Sequence, residues 1–174
     1  KPTKPETIFS NGGGIQSTAA LVLAAQGKIP CKLFPFANVG EDSEHPNTLR
    51  YVREIQIPFA KQHGLEVVEV LNKKSLVSRI YSDNRSIPIP MYLSTGAPGN
   101  RQCTNDLKIR RIDSWCKQRG ITDLTCGIGF SLDEVHRART TEWEELTQSF
   151  RKRLWYPLLD LRLFRRDCIK IIAD

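Results

Sequence analysis

The 174-residue chain contains no apolar run near the roughly 20 residues a membrane span needs. Its opening Lys1-Pro2-Thr3-Lys4-Pro5 lacks the apolar stretch of a secretion signal. Cysteines are few: the five, at 31, 103, 116, 126 and 168, follow no disulfide-framework spacing. These absences predict reduced thiols and a cytoplasmic protein that does not enter the membrane. No internal repeat or low-complexity segment divides the chain, so residues 1–174 are expected to form a single domain, with 149–174 as a truncated appendage in the alternative. One further absence bears on chemistry. The only triple-glycine stretch, Gly12-Gly13-Gly14, has no lysine in or near it.

What is present is ordinary in amount, with 40% hydrophobic and 26% charged residues. The net charge is +7, and the basic excess is spread along the chain: 11 Lys/Arg against 8 acids in residues 1–99, and 15 against 11 thereafter. A polyanionic partner and a generally basic surface are both compatible with this distribution. The pattern is strand, loop, helix, repeated. Strands are expected at 6–11, 31–37, 66–71 and 124–128, with Pro35 weakening the second. Helices are expected at 17–26, from Pro46 toward His63 with a kink or break at Pro58, around 74–81, and over 105–119. Residues 84–100 carry three prolines and two glycines, which predicts a long substrate-facing loop. "WYPLLDL" reads as a strand or extended piece, and "RRDCIKIIAD" as the start of a helix. Alternation of this kind predicts an α/β fold: a Rossmann-like parallel sheet with helices on both faces.

Glycine tolerates positive φ and lets backbone N–H groups approach a ligand. A glycine loop that opens a helix favours an anion. Without a lysine, Gly12–Thr18 is not a Walker loop. With Ser17 where a third glycine would stand, and Asn38 where an acid would close the second strand, a dinucleotide fingerprint fits poorly. Gly12-Gly13-Gly14-Ile15-Gln16-Ser17 resembles instead the pyrophosphate loop S-G-G-x-D-S, with Gly12 for the first serine and Gln16 for the aspartate.

Four later stretches follow in order: "FANVGEDSEHPNTLRYV" (36–52), "RQCTNDLKIRRI" (101–112), "GIGFSLDEVHRAR" (127–139) and "YPLLDLRLFRRDC" (156–168). With the loop, they resemble the phosphoadenosine phosphosulfate (PAPS) reductase-like branch of the adenine nucleotide α-hydrolase superfamily. Within it they are most similar to small bacterial and phage proteins with a G-x-Q-S-T loop. The resemblance spans residues 8–168. It implies that Gly12, Gly13, Gly14, Gln16, Ser17 and Thr18 hold the β- and γ-phosphates of ATP, or the phosphate end of PAPS, with Mg²⁺. Ala37 and Asn38 would meet adenine and ribose; the family usually has aspartate where Asn38 stands. Arg101, Cys103 and Lys108 would surround an anion or sulfur centre. Asp133 would contact the nucleotide, and Arg137 would either neutralise phosphate charge or pair structurally with Glu134. Ser17, Lys108, Arg137 and Cys103 are the catalytic candidates. Glu41 and Glu44 are either ligand-facing or solvated acids.

Relatives also carry a cysteine at the places of Cys103 and Cys168, followed by a downstream C-x-x-C pair, a set suited to a 4Fe-4S cluster. The chain reaches Asp174 before such a pair, so these two cysteines would form at most part of a cluster site. Cys31, Cys116 and Cys126 are expected to be structural.

Three functions follow from the resemblance. The first is cleavage of ATP to AMP and pyrophosphate to adenylate an acceptor, for sulfur transfer or thiolation of a nucleobase or nucleic acid. The second is reduction of PAPS. The third is a nucleotide- or nucleic-acid-binding module with reduced catalysis, favoured by the amides Gln16 and Asn38 in place of carboxylates. Partners would be tRNA or DNA, or a sulfur-donor protein, with an oligomer allowed. Lys108, Arg110 and Arg111, with Arg151-Lys152-Arg153, form either a nucleic-acid contact or a solvated basic face.

Overall fold

A computed structural model describes residues 6–82, 95–96, 104–138, 144–147 and 150–173. Six strands form one sheet: β1 (Glu6–Phe9), β2 (Leu33–Asn38), β3 (Glu66–Leu71), β4 (Asp123–Gly127), β5 (Glu144–Thr147) and β6 (Phe150–Trp155), in the order β3-β2-β1-β4-β6-β5. The first five in that order run parallel, and β5 closes the edge antiparallel to β6. The helices are α1 (Ile15–Ala25), α2 (Pro46–Tyr51), α3 (Ile57–Gln62), α4 (Leu76–Ile80), α5 (Arg110–Gln118), α6 (Pro157–Asp160) and α7 (Arg165–Ala173). The expected α/β architecture, a Rossmann-like parallel sheet covered on both faces, is therefore the observed one.

Strand pleat sorts neighbouring side chains into two cores. Phe9, Phe34 and Phe36 face α1, α3, α6 and α7, where Leu21, Ala60, Leu158 and Cys168 are buried. Ile8, Leu33, Ala37, Leu124 and Phe150 face α5, against Ile112 and Cys116. α1 is apolar on nearly every side because α7 packs over it while the sheet lies beneath. β6 and α7, both within 149–174, thus belong to the sheet and to its helical layer.

Pro35 does not make β2 an exposed or irregular strand. All six residues of β2 are buried between β1 and β3. The carbonyl of Pro35 accepts from Asn11 N, so its nitrogen faces β1 as well. The missing donor falls on that side, where pairing is confined to Ile8↔Leu33 and the bridge Asn11↔Phe36, while the β3 side pairs over its full length.

The helical run from Pro46 to Gln62 is divided just ahead of Pro58 into α2 and α3. A wide π-type turn, Val52–Gln56, precedes the proline, and Ile57 N–H reaches back five residues to the Val52 carbonyl. That extra residue moves the backbone around the proline ring, which would otherwise clash one turn earlier. A second wide turn, Thr104–Ile109, leads into α5.

"WYPLLDL" is not a strand. Trp155 ends β6, and Pro157 opens α6 at its first turn, where a missing N–H costs nothing. Strands β5 and β6 were not expected at all. The candidate loop 84–100 lies outside the described residues except for 95–96. Among the described residues, no helix is long and apolar enough to cross a membrane.

Candidate functional site

The strand order changes direction between β1 and β4, and α/β folds place ligands at the carboxyl ends of such strands. Two segments meet there: the loop Ser10–Gly14 entering α1, and residues 128–137 following β4. The glycines serve close approach. Gly13 has φ +70°, and a Cβ on it would lie 2.7 Å from Thr48 Cγ2. A Cβ on Gly129 would press to 3.3 Å from Gln16 Cβ. Gly14 faces open space instead, where a Cβ would have nothing within 4 Å.

The loop is held from behind by a buried amide relay. Asn11 Oδ1 accepts from Gly13 N at 2.8 Å, and Asn11 Nδ2 donates to Gln56 Oε1 at 2.8 Å. Gln56 Nε2 donates to Thr18 Oγ1 at 2.8 Å, and that hydroxyl donates to the Gly14 carbonyl at 2.9 Å. Thr18 therefore closes the loop on itself and faces away from solvent. The relay passes through the wide turn before Pro58, the feature that carries Gln56 inward. Gly12 N donates to Ser17 Oγ at 3.0 Å, so the Ser17 hydroxyl lies inside the loop with its own proton free to donate outward.

In front of the loop the first turn of α1 has no side-chain cap and no acidic residue. Uncapped N–H groups and the positive end of the helix dipole attract an anion at that point. Gln16 projects from this turn and is fixed by two partners. Its Nε2 donates to Glu134 Oε2 at 3.1 Å, and its Oε1 accepts from Arg165 Nη1 at 3.2 Å. An aspartate there could accept from the arginine but could not donate to the glutamate. Glu134 also pairs with Arg137, whose guanidinium lies 4.5 Å over the Phe130 ring. Of the two roles open to Arg137, the structural pairing with Glu134 is formed. Asp133 faces α7: its Oδ2 accepts from Arg165 N at 2.7 Å and from Ser131 Oγ at 3.2 Å, and the Arg165 amide foremost holds its carboxyl below the usual range. Asp133 thereby anchors the start of α7 and sets Arg165 beside the loop.

A second polar cluster closes the end of β2. Asn38 is buried, donating to Glu69 Oε1 at 2.6 Å and Glu41 Oε1 at 3.1 Å and accepting from Gly40 N at 2.7 Å. Arg53 bonds both glutamates, and its hydrogen bonds chiefly lower both of their pKa values. An amide at 38 allows two carboxylates to share one guanidinium; an aspartate would add a third negative group. Glu41 is thus an ion-pair partner rather than a lone solvated acid. Ala37 points into the α5-side core, leaving only its backbone for a ligand. Lys108 lies 3.5 Å from Glu44 Oε2.

The structure thus gathers Gly12–Thr18, Asp133 and Arg137 at the switch point, and Ala37, Asn38 and Lys108 around β2. Arg101 and Cys103 lie outside the described residues. Cys168 is buried under α7 against α1, and loss of hydration raises its pKa. Burial likewise pushes the Cys31 and Cys116 thiols to about 12 and Cys126 to about 11, favouring neutral thiols over metal-binding thiolates. Among the described residues no group of three or more His, Cys, Asp or Glu is placed to hold a metal.

The supposed basic face is largely occupied. Arg110 pairs with Asp106, Arg111 donates to the Leu71 carbonyl, and Arg151 pairs with Asp123. Lys152 is no surface group: strand alternation turns it into the α5-side layer, 2.7 Å from Asp113.

Sequence reasoning missed Asn11, Arg53, Gln56, Glu69 and Arg165. Asn11 stands directly before the glycines, an asparagine position suited to binding its own loop amides. Arg53 and Gln56 depend on the wide turn, which leaves no sequence mark beyond Pro58. The chain matches no protein-family model, and no curated protein is significantly similar to it.

Proposed function

We propose that the chain is a pyrophosphate-loop enzyme. It binds ATP with the polyphosphate on the first turn of α1 and cleaves it to AMP and pyrophosphate. The adenylated acceptor would then serve sulfur transfer or thiolation of a nucleobase or nucleic acid. The observation that carries this reading is the uncapped first turn of α1, open at Gly14 and flanked by Arg165. A polyphosphate fits that place by charge and by hydrogen bonding.

In this reading the Ser17 hydroxyl and the α1 amides receive a phosphate, and Arg165 exchanges its bond to Gln16 for a phosphate oxygen. Arg137 sits one side chain further out, where it offsets charge on departing pyrophosphate. Glu134 is the carboxylate bound to this turn. Mg²⁺ needs only one or two carboxylates beside phosphate oxygens, so Glu134 is the residue that would hold it, and the ion would neutralise phosphate charge. Asn11, Gln56 and Thr18 keep the loop rigid behind the phosphates.

The deciding experiment follows α-labelled ATP with Mg²⁺ and candidate acceptors, together with exchange of labelled pyrophosphate into ATP. Labelled AMP and exchange are expected. ADP as the sole labelled product overturns the reading. A nucleotide-binding module without turnover is the second reading, favoured by the full engagement of Gln16 and Asn38 in fixed hydrogen bonds. It predicts saturable ATP binding with no pyrophosphate exchange under any acceptor.

A further inference from the structure

On the α1 side of the sheet, a pocket of about 380 Å³ opens between the Pro30 turn and α6. Its size falls within the range of small-molecule sites, about 300–1,000 Å³. Thr7, Thr125 and Arg153 form its floor as one row across three strands, with Thr7 paired to Thr125 and Thr125 to Arg153. Trp155 stands on the same face two residues further along β6, and its indole N–H donates to Asp160 Oδ2 at 2.8 Å across the rim.

The row is chemically unsatisfied. Among the described residues, neither threonine hydroxyl nor the Arg153 guanidinium has a side-chain hydrogen bond or ion pair. Its neighbour on the strand, Arg151, is neutralised by Asp123, so Arg153 carries the uncompensated charge of this floor. Three donor groups along one line suit an anion with three acceptor oxygens better than a carboxylate with two. At the far side, Asp160 presents a carboxylate whose Oδ1 accepts no hydrogen bond among the described residues, suited to a hydroxyl on the same ligand.

We propose that this pocket is a second binding site, separate from the α1 loop, for a small hydroxylated phosphate ester. The phosphate lies on Thr7, Thr125 and Arg153, and the hydroxyls face Asp160 beside the Trp155 indole. The site does not depend on the nucleotide reading of the loop.

The test is titration of the intact chain with ribose 5-phosphate, read by tryptophan fluorescence and by calorimetry. Saturable binding is expected, with affinity at least tenfold weaker in Arg153→Gln and several-fold weaker in Thr125→Val. Arg153 is exposed on its strand, and Arg153→Lys provides a folded control that keeps the charge and retains part of the affinity. Gly14→Asp, which alters the α1 loop, is expected to leave the binding intact. Absence of saturation, unchanged affinity in Arg153→Gln, or loss in Gly14→Asp overturns the proposal. An equal response to ribose, or to acetate at matched ionic strength, overturns the assignment of phosphate.

Discussion

Arg165 and Gln16 stand 149 positions apart in the chain, yet Arg165 Nη1 donates to Gln16 Oε1 at 3.2 Å. The bond joins the last helix to the first turn of the first helix, at the point where the loop faces solvent. Asp133 makes it possible by accepting from the Arg165 backbone N–H. If Arg165 turns from Gln16 to phosphate, Arg165→Gln is expected to weaken ATP binding about tenfold, the equivalent of roughly 1.4 kcal/mol. Stability should change little, because Arg165 is exposed. Equilibrium binding of ATP at two salt concentrations checks this; unchanged affinity at both would remove Arg165 from the site.

Gly14 separates stability from binding. It occupies the cap position of α1 with φ −98° and ψ −176°, extended backbone that any residue adopts, and it has open space around it. Asp is among the best residues at a helix cap and complements the dipole, together worth a few tenths to about 1 kcal/mol. Gly14→Asp should therefore hold or raise the melting temperature while abolishing polyphosphate binding, since its carboxylate occupies the anion's place. Thermal denaturation with and without ATP gives both answers. A variant that still gains stability from ATP would show that the phosphates lie elsewhere.

Gln56 is 1% exposed and supplies both middle bonds of the relay behind the loop. Replacing it by leucine leaves Asn11 Nδ2 and Thr18 Oγ1 without that partner. Thr18 Oγ1 keeps its bond to the Gly14 carbonyl, whereas Asn11 Nδ2 is stranded. A stranded buried polar group costs about 1–3 kcal/mol, the loss in unfolding free energy expected for Gln56→Leu. Denaturant titration measures the loss. A near-neutral result would mean that water enters and satisfies Asn11 Nδ2.

Much of the frame can be read from residue order, and the exceptions share a cause. β3 was expected at 66–71, where it stands, because EVVEVL is rich in β-branched residues and bounded by polar ones. The glycine loop and α1 were legible because Gly12–Gly14 punctuate two apolar runs. β6 was hidden because FRKRLW carries three cations, and only the fold reveals that Lys152 turns inward to Asp113 while Arg151 and Arg153 turn outward. Likewise, Gln16 and Asn38 looked like lost carboxylates. Their reason is tertiary, since each amide donates to a glutamate from a distant segment, Glu134 and Glu69. Local pattern encodes elements; it does not encode which polar side chain meets which.

The Arg53 cluster sets part of the acid response. Arg53 holds the Glu69 and Glu41 carboxyls below their ordinary range of about 4.3. Groups with a lowered folded pKa stabilise the fold above the unfolded value, and that contribution is lost as pH falls through the folded one. Wild type should thus lose stability on acidification below about pH 4, and Arg53→Gln should show a shallower loss over the same interval. The difference is modest, since the Arg53–Glu69 pair is partly hydrated and water and salt screen such pairs. Melting temperatures measured from pH 7 down to pH 3 test the sign. An equal or steeper acid loss in Arg53→Gln contradicts it.

Lys152 and Asp113 form the most deeply buried ion pair of the described residues, at 2.7 Å, with side chains 8% and 12% exposed. The pair joins β6 to α5 and closes the layer beneath Phe150 and Cys126. Removing one partner strands the other charge out of water, a cost of about 3–5 kcal/mol, whereas replacing both by apolar residues of similar volume is often neutral. Lys152→Met alone is therefore expected to unfold the domain at markedly lower denaturant. The double variant Lys152→Met with Asp113→Leu should recover most of that loss. Urea titration of the two singles and the double gives the coupling directly. If the losses simply add, the two side chains are hydrated independently and the pair does not tie β6 to α5.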